Sequence, residues 1–540
     1  MKVSREEQAY RWSALVLGLV LVVVMLTTFR DYGVTGDEGF QHRYGRRLER
    51  WYATFGADRS AVEQHDTYYY GGFFELVAEG ATRILPYGVY ESRHLANALV
   101  SLLAFGAAWM MGSHLAGPRG GFLSLAFLVL TPPFYGHAFA NPKDIPFAAL
   151  FALTLAMALR TGATGPPSVR DVALTGVVLG LTAGVRVAGL TLVVFVAVLW
   201  IGRLWLSRAV PPADRQLEGR ESWSARSVAA SLLIVVGIGW VVMVAFWPWA
   251  QLDPLRNPFR AFQVFSRFWE HMVVLYDGRL VTSGEVSRFY APRYLSLTLP
   301  ETYAVAAVVG LAALAAALRS GLSDRDRRLR VFEAVWLLSV AVLTVAWLVV
   351  RGVPLYNGVR HVLFVVPVLA VLSGVSLAVA LGGRLPRPIA LGAVAIAGGL
   401  ALVTLVDMVR LHPYQSLYFN RWVAGGLPGA VGQWETDYWC SSYKEGVEWI
   451  VARHATDPPG ERIRIAGHSG VFQITAGLRT PELERRFKGV TIHEDPNYIL
   501  ATTATGDHER TPGRPVHVIE RMGAPIAYVF EARPVPDVRP

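Results

Sequence analysis

Residues 13–29, SALVLGLVLVVVMLTTF, contain no charged side chain and follow the basic residues Lys2, Arg5 and Arg11. A helix needs about 20 predominantly apolar residues to cross the hydrocarbon core of a bilayer. The run ends in TTFRDYG and has no small-x-small cleavage site, which predicts a retained first span rather than a removed signal peptide. The stretch therefore predicts an integral membrane protein.

The rest of the chain repeats this pattern. Of the 540 residues, 53% are hydrophobic and only 17% are charged, a composition that excludes an ordinary soluble protein. Apolar runs of near-span length predict a multi-span α-helical protein with about eleven membrane helices. These runs lie at residues 13–29, 94–115, 120–136, 144–160, 171–185, 187–203, 227–247, 302–318, 331–350, 361–382 and 389–409.

The charge pattern predicts the orientation of the chain. The net charge is +10, and the arginines recur in short loops between apolar runs, which is typical of cytoplasmic loops and argues against a nucleic-acid partner. We expect a plasma (inner) membrane protein with a cytoplasmic N-terminus. The outer face then receives residues 30–93, 137–143, 248–301, 351–360 and the tail from about residue 410. The single cysteine, Cys440, permits neither an internal disulfide nor a paired-cysteine metal site.

Two domains are predicted. Residues 1–410 would form the transmembrane domain, and its aromatic outer loops 30–93 and 248–301 suit helices that lie in the membrane interface. Residues 411–540 are less hydrophobic and predict a small extracytoplasmic α/β domain. SSYKEGVEWIVARHA has a helical period, and RIRIAG, VHVIER and IAYVFEARPV have the pattern of short strands.

Acidic residues follow the first span and precede the fourth. Asp37 and Glu38 lie in VTGDEGFQHRYGRR, a few residues after the first apolar run, and Lys143 and Asp144 lie in GHAFANPKDIPFAAL. Each group has a simpler explanation: a solvated loop acid for Asp37 and Glu38, and helix punctuation by an N-terminal acid and Pro146 for the second group. The functional hypothesis is that these side chains meet in one cavity at the outer membrane surface.

Basic residues recur at the same predicted level. Arg186 is the only basic residue of a long apolar stretch around TAGVRVAGL, where a charge is costly unless it faces water or a partner. Arg360 and His361 lie in RGVPLYNGVRHVLFVVP at the mouth of a later span. An arginine fork suits phosphate, so these residues are candidates for anion binding. The alternatives are an ordinary outer turn for Arg186 and an interfacial anchor for Arg360.

Four motifs, taken in order, resemble a known family. GDE after the first span, NPKDIPFA before the fourth, YNGVRH before a late span, and HPYQSLYFN…GGLPGA…WETDYW…SYKEGVEWI at the membrane exit are similar to the GT-C class of lipid-carrier-dependent glycosyltransferases. The nearest branch is the protein-mannosyltransferase-like and aminoarabinose-transferase-like group. The resemblance covers the membrane domain and the first part of the tail, and it implies a GT-C-like fold. NPK departs from the Arg- or Tyr-rich segment that the family often has before its second acid.

The resemblance implies roles for the candidate residues. The essential acid of the first outer loop falls on Asp37, with Glu38 beside it, and that of the second on Asp144. The resemblance also implies that Arg186, Arg360 and Lys143 hold the lipid phosphate, and His361 lies next to Arg360. No cofactor is certain, although a divalent metal near the acids is a possibility that some relatives suggest.

The expected reaction moves a sugar from a polyprenyl-phosphate carrier to an acceptor hydroxyl or phosphate at the outer face. A phosphate leaving group needs cations more than a proton donor, and an attacking hydroxyl needs a base, for which Asp37 is the candidate. A single displacement would invert the anomeric centre. The acceptor, a lipid, glycan or protein, and the sugar stay open.

Two other classes of protein are alternatives. A membrane transporter or lipid-linked sugar flippase would have ionisable residues near the bilayer midplane, whereas here the polar groups collect on one side. A scaffold protein would leave the predicted convergence of acids and arginines unexplained.

Overall fold

The computed structural model describes residues 4–63, 67–162, 167–208, 224–266, 272–319, 324–458 and 460–532. Within these ranges the chain is mainly helical, with one hairpin and one larger sheet. The last residues of the predicted strand IAYVFEARPV, 533–535, lie outside the described ranges.

The membrane part of the chain is a series of helices. The helices are α1 (Arg5–Thr28), α2 (Gly36–Ala53), α3 (Ser60–Glu63), α4 (Phe73–Ile84), α5 (Val89–Val129), α6 (Pro132–Ala140), α7 (Asp144–Arg160), α8 (Val169–Ala183), α9 (Leu192–Arg208), α10 (Ala225–Ala245), α11 (Pro248–Leu252), α12 (Asn257–Phe265), α13 (Tyr290–Thr298), α14 (Glu301–Arg319), α15 (Arg325–Arg351), α16 (Val366–Val379) and α17 (Arg387–Leu411). A two-stranded hairpin, β1 (Val273–Tyr276) and β2 (Arg279–Thr282), precedes α13.

The number of full-length spans is smaller than predicted. In the described ranges, eight helical segments are long and apolar enough to cross a membrane, or up to nine if the bent pair α6 and α7 forms one span. The difference from about eleven has three causes. α7 and α8 have only 17 and 15 residues, and the predicted runs 94–115 and 120–136 are largely joined in α5. The chain is a multi-pass membrane protein.

α5 is a helical hairpin rather than one straight helix. Its backbone leaves helical geometry at Ala116 and Gly117, directly before Pro118. Gly120 lies close to the carbonyl of Gly112, which shows that the two arms run back along each other. The predicted pair of antiparallel segments is therefore present, but the second arm is short and ends at Val129.

The centre of the bundle consists of α5, α7 and α16. α7 and α16 are apolar on nearly every side, and most of their residues are buried, as expected for helices enclosed by others. α1 and α17 pack at the periphery and leave most of their apolar residues exposed, which suits contact with lipid. The helices α2, α4, α11 and α12 are not among the candidate spans; α2 packs on α4, and α11 packs on α12.

The tail forms a five-stranded mixed sheet with helices. Its elements are α18 (Arg421–Ala424), α19 (Gly426–Ala430), α20 (Tyr443–Arg453), β3 (Ile463–Gly467), α21 (Val471–Gly477), α22 (Pro481–Arg486), β4 (Phe487–Val490), β5 (Tyr498–Thr502), α23 (Asp507–Arg510), β6 (Arg514–Arg521) and β7 (Ala524–Glu531). The strand order is β4-β3-β5-β7-β6, with β3 parallel to both neighbours and β7 antiparallel to both of its own. The predicted helix and the three predicted strands of the tail are confirmed.

The tail packs on both its own core and the membrane part. The helix α20 packs on one side of the sheet. Its residues Tyr443, Val447 and Ile450 form an apolar cluster with Ile465 of β3 and Leu500 of β5. Residues 519–527 of the β6–β7 hairpin contribute to the same apolar cluster as the membrane helices. The predicted boundary between residues 410 and 411 stays a prediction.

Candidate functional site

Asp37 lies in the first turn of α2. The helix begins after Thr35, and the carboxylate of Glu38 accepts a hydrogen bond from the Thr35 backbone N–H at 2.8 Å, which satisfies an otherwise free donor at the helix N-terminus. Glu38 is buried and its other oxygen lies 2.9 Å from Nε2 of His94. The structure therefore turns Glu38 away from Asp37 and gives it contacts typical of a helix cap. The spacing of Thr35 and Glu38, T-x-x-E, is a capping signal that the sequence analysis missed.

The second acid lies at a sharp break between helices. α6 and α7 bend by 117° across the intervening residues. Asn141 holds the start of α7: its Oδ1 accepts from the backbone N–H of Asp144 at 3.0 Å, and its Nδ2 donates to the Asp144 carboxylate at 3.1 Å. The Asp144 carboxylate is thereby fixed, and Lys143 is placed directly before it.

Arg360 joins the two acids. Its Nη1 lies 2.7 Å from Oδ2 of Asp37 and 3.8 Å from Oδ2 of Asp144. The guanidinium carbon lies 5.0 Å from the ring centre of Tyr356 and 5.2 Å from that of Trp439, within cation–π range of both. Trp439 belongs to the tail, so both predicted domains contribute to the surroundings of this arginine.

Two further cations complete the cluster. Arg186, directly before a 3-10 turn at Val187–Thr191, forms an ion pair with Asp144. Nζ of Lys143 lies 3.4 Å from Oδ1 of Asp37 and 4.9 Å from the ring centre of Tyr70. The structure thus brings together the predicted residues Asp37, Lys143, Asp144, Arg186 and Arg360, although they are far apart in sequence.

A close backbone contact positions Tyr70. A Cβ atom on Gly71 would lie 2.0 Å from the carbonyl oxygen of Gly184, so the chain can approach the Gly184 turn only because residue 71 has no side chain. The Phe73 N–H donates to the Gly184 carbonyl at 3.2 Å, and the Gly72 N–H donates to the Phe246 carbonyl at 2.9 Å. These contacts hold Tyr70 beside Lys143.

The cluster has an excess of positive charge. Two carboxylates, Asp37 and Asp144, face three cations, Lys143, Arg186 and Arg360, which leaves one positive charge in excess. Burial alone would raise the pKa of the Asp37 carboxyl, but Lys143 and Arg360 outweigh burial and hold this pKa well below its ordinary value. Asp37 is therefore ionised at neutral pH in this arrangement.

Several nitrogens of the cluster have unused hydrogen-bonding capacity. Among the described residues, Nε of Arg186, Nε of Arg360 and Nε2 of His361 are buried and have no hydrogen-bond partner. Buried polar groups are seldom left unpaired in folded proteins. Such groups beside a cationic cluster are suited to an anionic ligand with several acceptor oxygens.

The cluster lies at the end of a cavity of about 820 Å³. The polar end contains Asp37, Asp144 and the three cations, with His361 beside them. The other end is apolar, and its side chains come from the helices α7, α9 and α15 and from the 3-10 segment Gly358–Val365. They include Phe147, Phe151, Val194, Phe195, Leu343, Trp347 and Phe364.

The apolar end opens toward the outside of the bundle. Val194, Leu343 and Trp347 line the cavity and are also among the exposed side chains of α9 and α15. Both helices meet the length and composition of membrane spans. The cavity therefore connects a charged chamber to a surface suited to lipid.

A larger cavity of about 1200 Å³ lies between α14, α15 and α16. Small residues such as Ala306, Gly310, Ala313 and Ser376 line its middle, and its charged residues lie toward its two ends. Its lining includes the Arg119–Glu6 ion pair but none of the predicted site residues, so the smaller cavity is the candidate site.

The site also contains residues that the sequence analysis did not predict. With the amide of Gln41 oriented to satisfy both neighbours, its nitrogen lies 3.0 Å from Glu75 and its oxygen 3.2 Å from Nζ of Lys143. Glu75 is buried and forms an ion pair with Arg93. These residues form a second layer behind Lys143, and nothing in their local pattern distinguishes them from ordinary interfacial residues.

The possibility of a divalent metal receives no support from the donor set. No group of three His, Cys, Asp or Glu side chains that could hold a metal ion occurs in the described ranges. The carboxylates of Asp37 and Asp144 are already paired with cations, and a metal ion would add to the positive charge. The surroundings fit an anion better than a cation.

Fold and site together define a multi-pass membrane protein with a chamber of excess positive charge among its helices. No family model matches the chain, and no curated protein matches it. Among solved structures, the chain is similar to ArnT from Cupriavidus metallidurans in the apo state, with 17% identity over 96% of this chain and 98% of that chain and a TM-score of 0.48. It is also similar to the same protein bound to undecaprenyl phosphate, with 17% identity over 95% of this chain and 97% of that chain and a TM-score of 0.45. A third similar structure is the oligosaccharyltransferase AglB from Archaeoglobus fulgidus in complex with an inhibitory peptide and a dolichol-phosphate, with 12% identity over 92% of this chain and 70% of that chain and a TM-score of 0.49.

Proposed function

We propose that this protein is a glycosyltransferase that moves a sugar from a polyprenyl-phosphate carrier to an acceptor hydroxyl or phosphate at the outer face of the plasma membrane. The observation that carries the proposal is the cavity, in which an excess positive charge lies at one end and an apolar passage to the bilayer at the other. A polyprenyl-phosphate sugar has the matching parts: a singly charged phosphodiester and a long apolar chain.

The cations are the proposed phosphate ligands. Arg186 and Arg360 each carry a buried Nε without a partner among the described residues, and Lys143 lies on the opposite side of Asp37 from Arg360. Charge-assisted hydrogen bonds from these groups would hold the diester. They would also stabilise the second negative charge that develops when the phosphate leaves.

Asp37 is the proposed base. The acceptor oxygen attacks the anomeric carbon, the bond from that carbon to the phosphate oxygen breaks, and the phosphate takes the electron pair. The proton of the acceptor hydroxyl passes to the Asp37 carboxylate. One displacement of this kind inverts the anomeric centre.

The resting ion pairs of Asp37 fit this role. Lys143 and Arg360 keep Asp37 ionised, but they also lower its basicity. A bound phosphate competes for the same two cations, so donor binding raises the pKa of Asp37 toward its ordinary value. Asp144, held by Asn141 and paired with Arg186, would position that arginine and Arg360 rather than accept the proton.

The decisive experiment compares wild type with Asp37→Asn. Purified protein in detergent is given a radiolabelled polyprenyl-phosphate sugar and a membrane extract as acceptor, and binding of undecaprenyl phosphate is measured in parallel. We expect transfer by wild type only, while Asp37→Asn binds the lipid at least as tightly, since one negative charge has left the phosphate chamber. Equal transfer by both proteins would refute the role of Asp37. Absence of lipid binding by wild type would refute the donor class and favour a transporter or scaffold.

The orientation is part of the proposal. The N-terminus would be cytoplasmic, and the tail, residues 411–540, extracytoplasmic. A C-terminal alkaline phosphatase fusion should be active, and a C-terminal green fluorescent protein fusion should be dark. The reverse result would place the site on the cytoplasmic side.

A further inference from the structure

The turn that carries Arg360 has an unusual backbone. Asn357 and Gly358 both have left-handed conformations, with φ of 57° and 68°. Such a conformation is costly for a residue other than glycine, so it persists only where the surroundings hold it. A 3-10 segment, Gly358–Val365, begins here and presents Arg360 to the two acids. Whatever fixes this turn also fixes the arginine.

A buried chain of hydrogen bonds holds the turn. The backbone N–H of Gly358 donates to the hydroxyl oxygen of Tyr290 at 2.9 Å, and the Tyr290 hydroxyl donates to Oε2 of Glu435 at 2.9 Å. Tyr290 is 1% exposed and Glu435 3% exposed. The hydroxyl uses its single proton toward Glu435 and a lone pair toward Gly358, so the direction of both bonds is determined.

The tail side of this chain is itself fixed. The backbone N–H of Glu435 donates to the Tyr294 hydroxyl at 3.4 Å, and the Tyr290 and Tyr294 rings lie 4.5 Å apart. Trp434 pairs with Tyr276 of β1 as an isolated bridge. Further along the same segment, Trp439 covers the Arg360 guanidinium. The segment 434–439 of the tail therefore contacts the Arg360 turn at two places.

We propose that Glu435 is a positioning residue which, through Tyr290, holds the Gly358 turn so that Arg360 reaches both Asp37 and Asp144. The inference rests on the proposed function, because it assigns Arg360 to the donor phosphate. It gives the tail a defined task at the donor site. The chemical need is for a buried hydrogen-bond acceptor at residue 435, and a carboxylate meets that need most strongly.

The ionisation of Glu435 offers an independent readout. The ionisable groups that face it are Tyr290, Tyr294, Tyr438 and Arg360. Burial raises the pKa of Glu435 to about 7, against the lowering effect of the Tyr290 hydrogen bond and of the nearby backbone and arginine. The carboxylate is the stronger acceptor and predominates above this pH, so donor binding should strengthen as the pH rises through 7.

The test measures binding of undecaprenyl phosphate to purified full-length protein in detergent between pH 6 and pH 8. For Tyr290→Phe and Glu435→Ala we expect the dissociation constant at pH 8 to rise about tenfold, since a small misplacement of a binding group has effects of this order or larger. For Glu435→Gln, which keeps an acceptor oxygen, we expect a change of less than about threefold. Its pH profile should keep only the change caused by the second ionisation of the lipid phosphate, which has a pKa of about 6, and lose the change that depends on Glu435. Thermal unfolding checks that each variant is folded. If Glu435→Ala does not fold, Tyr290→Phe alone tests the positioning role.

A matched pair in the tail provides the control. The Tyr414 hydroxyl donates to Oε2 of Glu445 at 2.9 Å, which is the same tyrosine–glutamate hydrogen bond as that between Tyr290 and Glu435. Here the carboxylate of Glu445 also forms an ion pair with Arg521. Tyr414→Phe and Glu445→Gln should bind the lipid like wild type. If they weaken binding as much as Tyr290→Phe, the effect is general loosening of the tail and the inference is wrong.

Arg360→Gln separates this inference from the proposed function. If Arg360→Gln loses lipid binding while Tyr290→Phe and Glu435→Ala keep it, the positioning role of Glu435 is refuted and the donor site stands. If Arg360→Gln binds as well as wild type, the proposed donor site itself is refuted. Weaker lipid binding by Arg360→Gln, Tyr290→Phe and Glu435→Ala, together with nearly unchanged binding by Glu435→Gln, supports the inference.

Discussion

Lys143→Met removes one of the three cations of the site and leaves a side chain of similar length. By Coulomb's law with an effective dielectric constant of about 20, the Asp37–Lys143 pair at 3.4 Å is worth about 5 kcal/mol. A phosphate oxygen at a similar distance from Nζ gains nearly the same amount. Donor binding therefore exchanges one anion for another at Lys143, and the two Coulomb energies largely cancel.

What remains is the charge-assisted hydrogen bond to the phosphate, about 1.5–3 kcal/mol. This corresponds to a dissociation constant for undecaprenyl phosphate that is roughly 10- to 150-fold higher in Lys143→Met. Lys143→Arg keeps the charge, so its dissociation constant for undecaprenyl phosphate should lie between those of Lys143→Met and wild type. Lys488→Met, at an exposed position of β4, is the matched control and should bind like wild type.

The same variant should change the pH dependence of sugar transfer. Lys143 and Arg360 hold the pKa of Asp37 below its ordinary value, so loss of Lys143 raises this pKa. A base must be deprotonated to act, so the acid limb of kcat/KM moves to higher pH in Lys143→Met. The assay is transfer from a radiolabelled polyprenyl-phosphate sugar across pH 4–8. An acid limb that lies at higher pH in wild type than in Lys143→Met, or a large loss of kcat with unchanged donor affinity, would refute this account of Lys143 and Asp37.

Three further predictions concern other parts of the structure. Gly71→Ala should lower the thermal stability and weaken lipid binding, since its Cβ would meet the Gly184 carbonyl and displace Tyr70; unchanged unfolding and binding curves would contradict the close contact. Glu333→Gln should cost about 3–5 kcal/mol of stability, because it leaves Arg203, now 2.9 Å from that carboxylate, as an unpaired buried charge; lipid affinity measured on the folded fraction should not change. Treatment with EDTA should leave undecaprenyl phosphate binding unchanged, since side-chain cations hold the phosphate; a loss reversed by divalent metal would contradict this charge arrangement.

The spans and the tail strands could be predicted because their signals are local. An apolar run of near-span length or a short alternating segment is visible in a window of a few residues. The runs 94–115 and 120–136 were predicted as two segments and correspond to the two arms of α5, but the sequence does not show that the second arm ends at Val129. The break between α6 and α7 was foreseen as an outer turn at 137–143, but its bend depends on packing that no local window contains.

The candidate site was predictable in part because charges are rare in this chain. Asp37, Asp144, Arg186 and Arg360 each interrupt or border an apolar run, and the structure brings all four together. Their roles in catalysis stay predictions. Glu38 was grouped with Asp37 because of adjacency, yet successive residues of a helix point in different directions, and Glu38 faces His94 instead.

The contribution of the tail could not be predicted, since it depends on contacts between residues distant in sequence. Trp439 and Glu435 lie in a segment, WETDYW, whose pattern indicates neither a strand nor a helix. In the structure, Trp439 covers the guanidinium of Arg360, and Glu435 reaches the turn before it through Tyr290. Only the folded chain shows this proximity.

This arrangement also explains why a membrane enzyme would build its phosphate site from two parts of the chain. Arg360 lies at the end of a membrane-spanning segment, where water can weaken its attraction for an anion. The rings of Tyr356 and Trp439 both pack against its guanidinium and keep water from it, while its Nη1 faces the carboxylates. In the proposed function, this shielding strengthens the cation for a phosphate that enters from the bilayer side. Because Trp439 and Glu435 are both supplied by the tail, the membrane helices alone would not complete the proposed donor site.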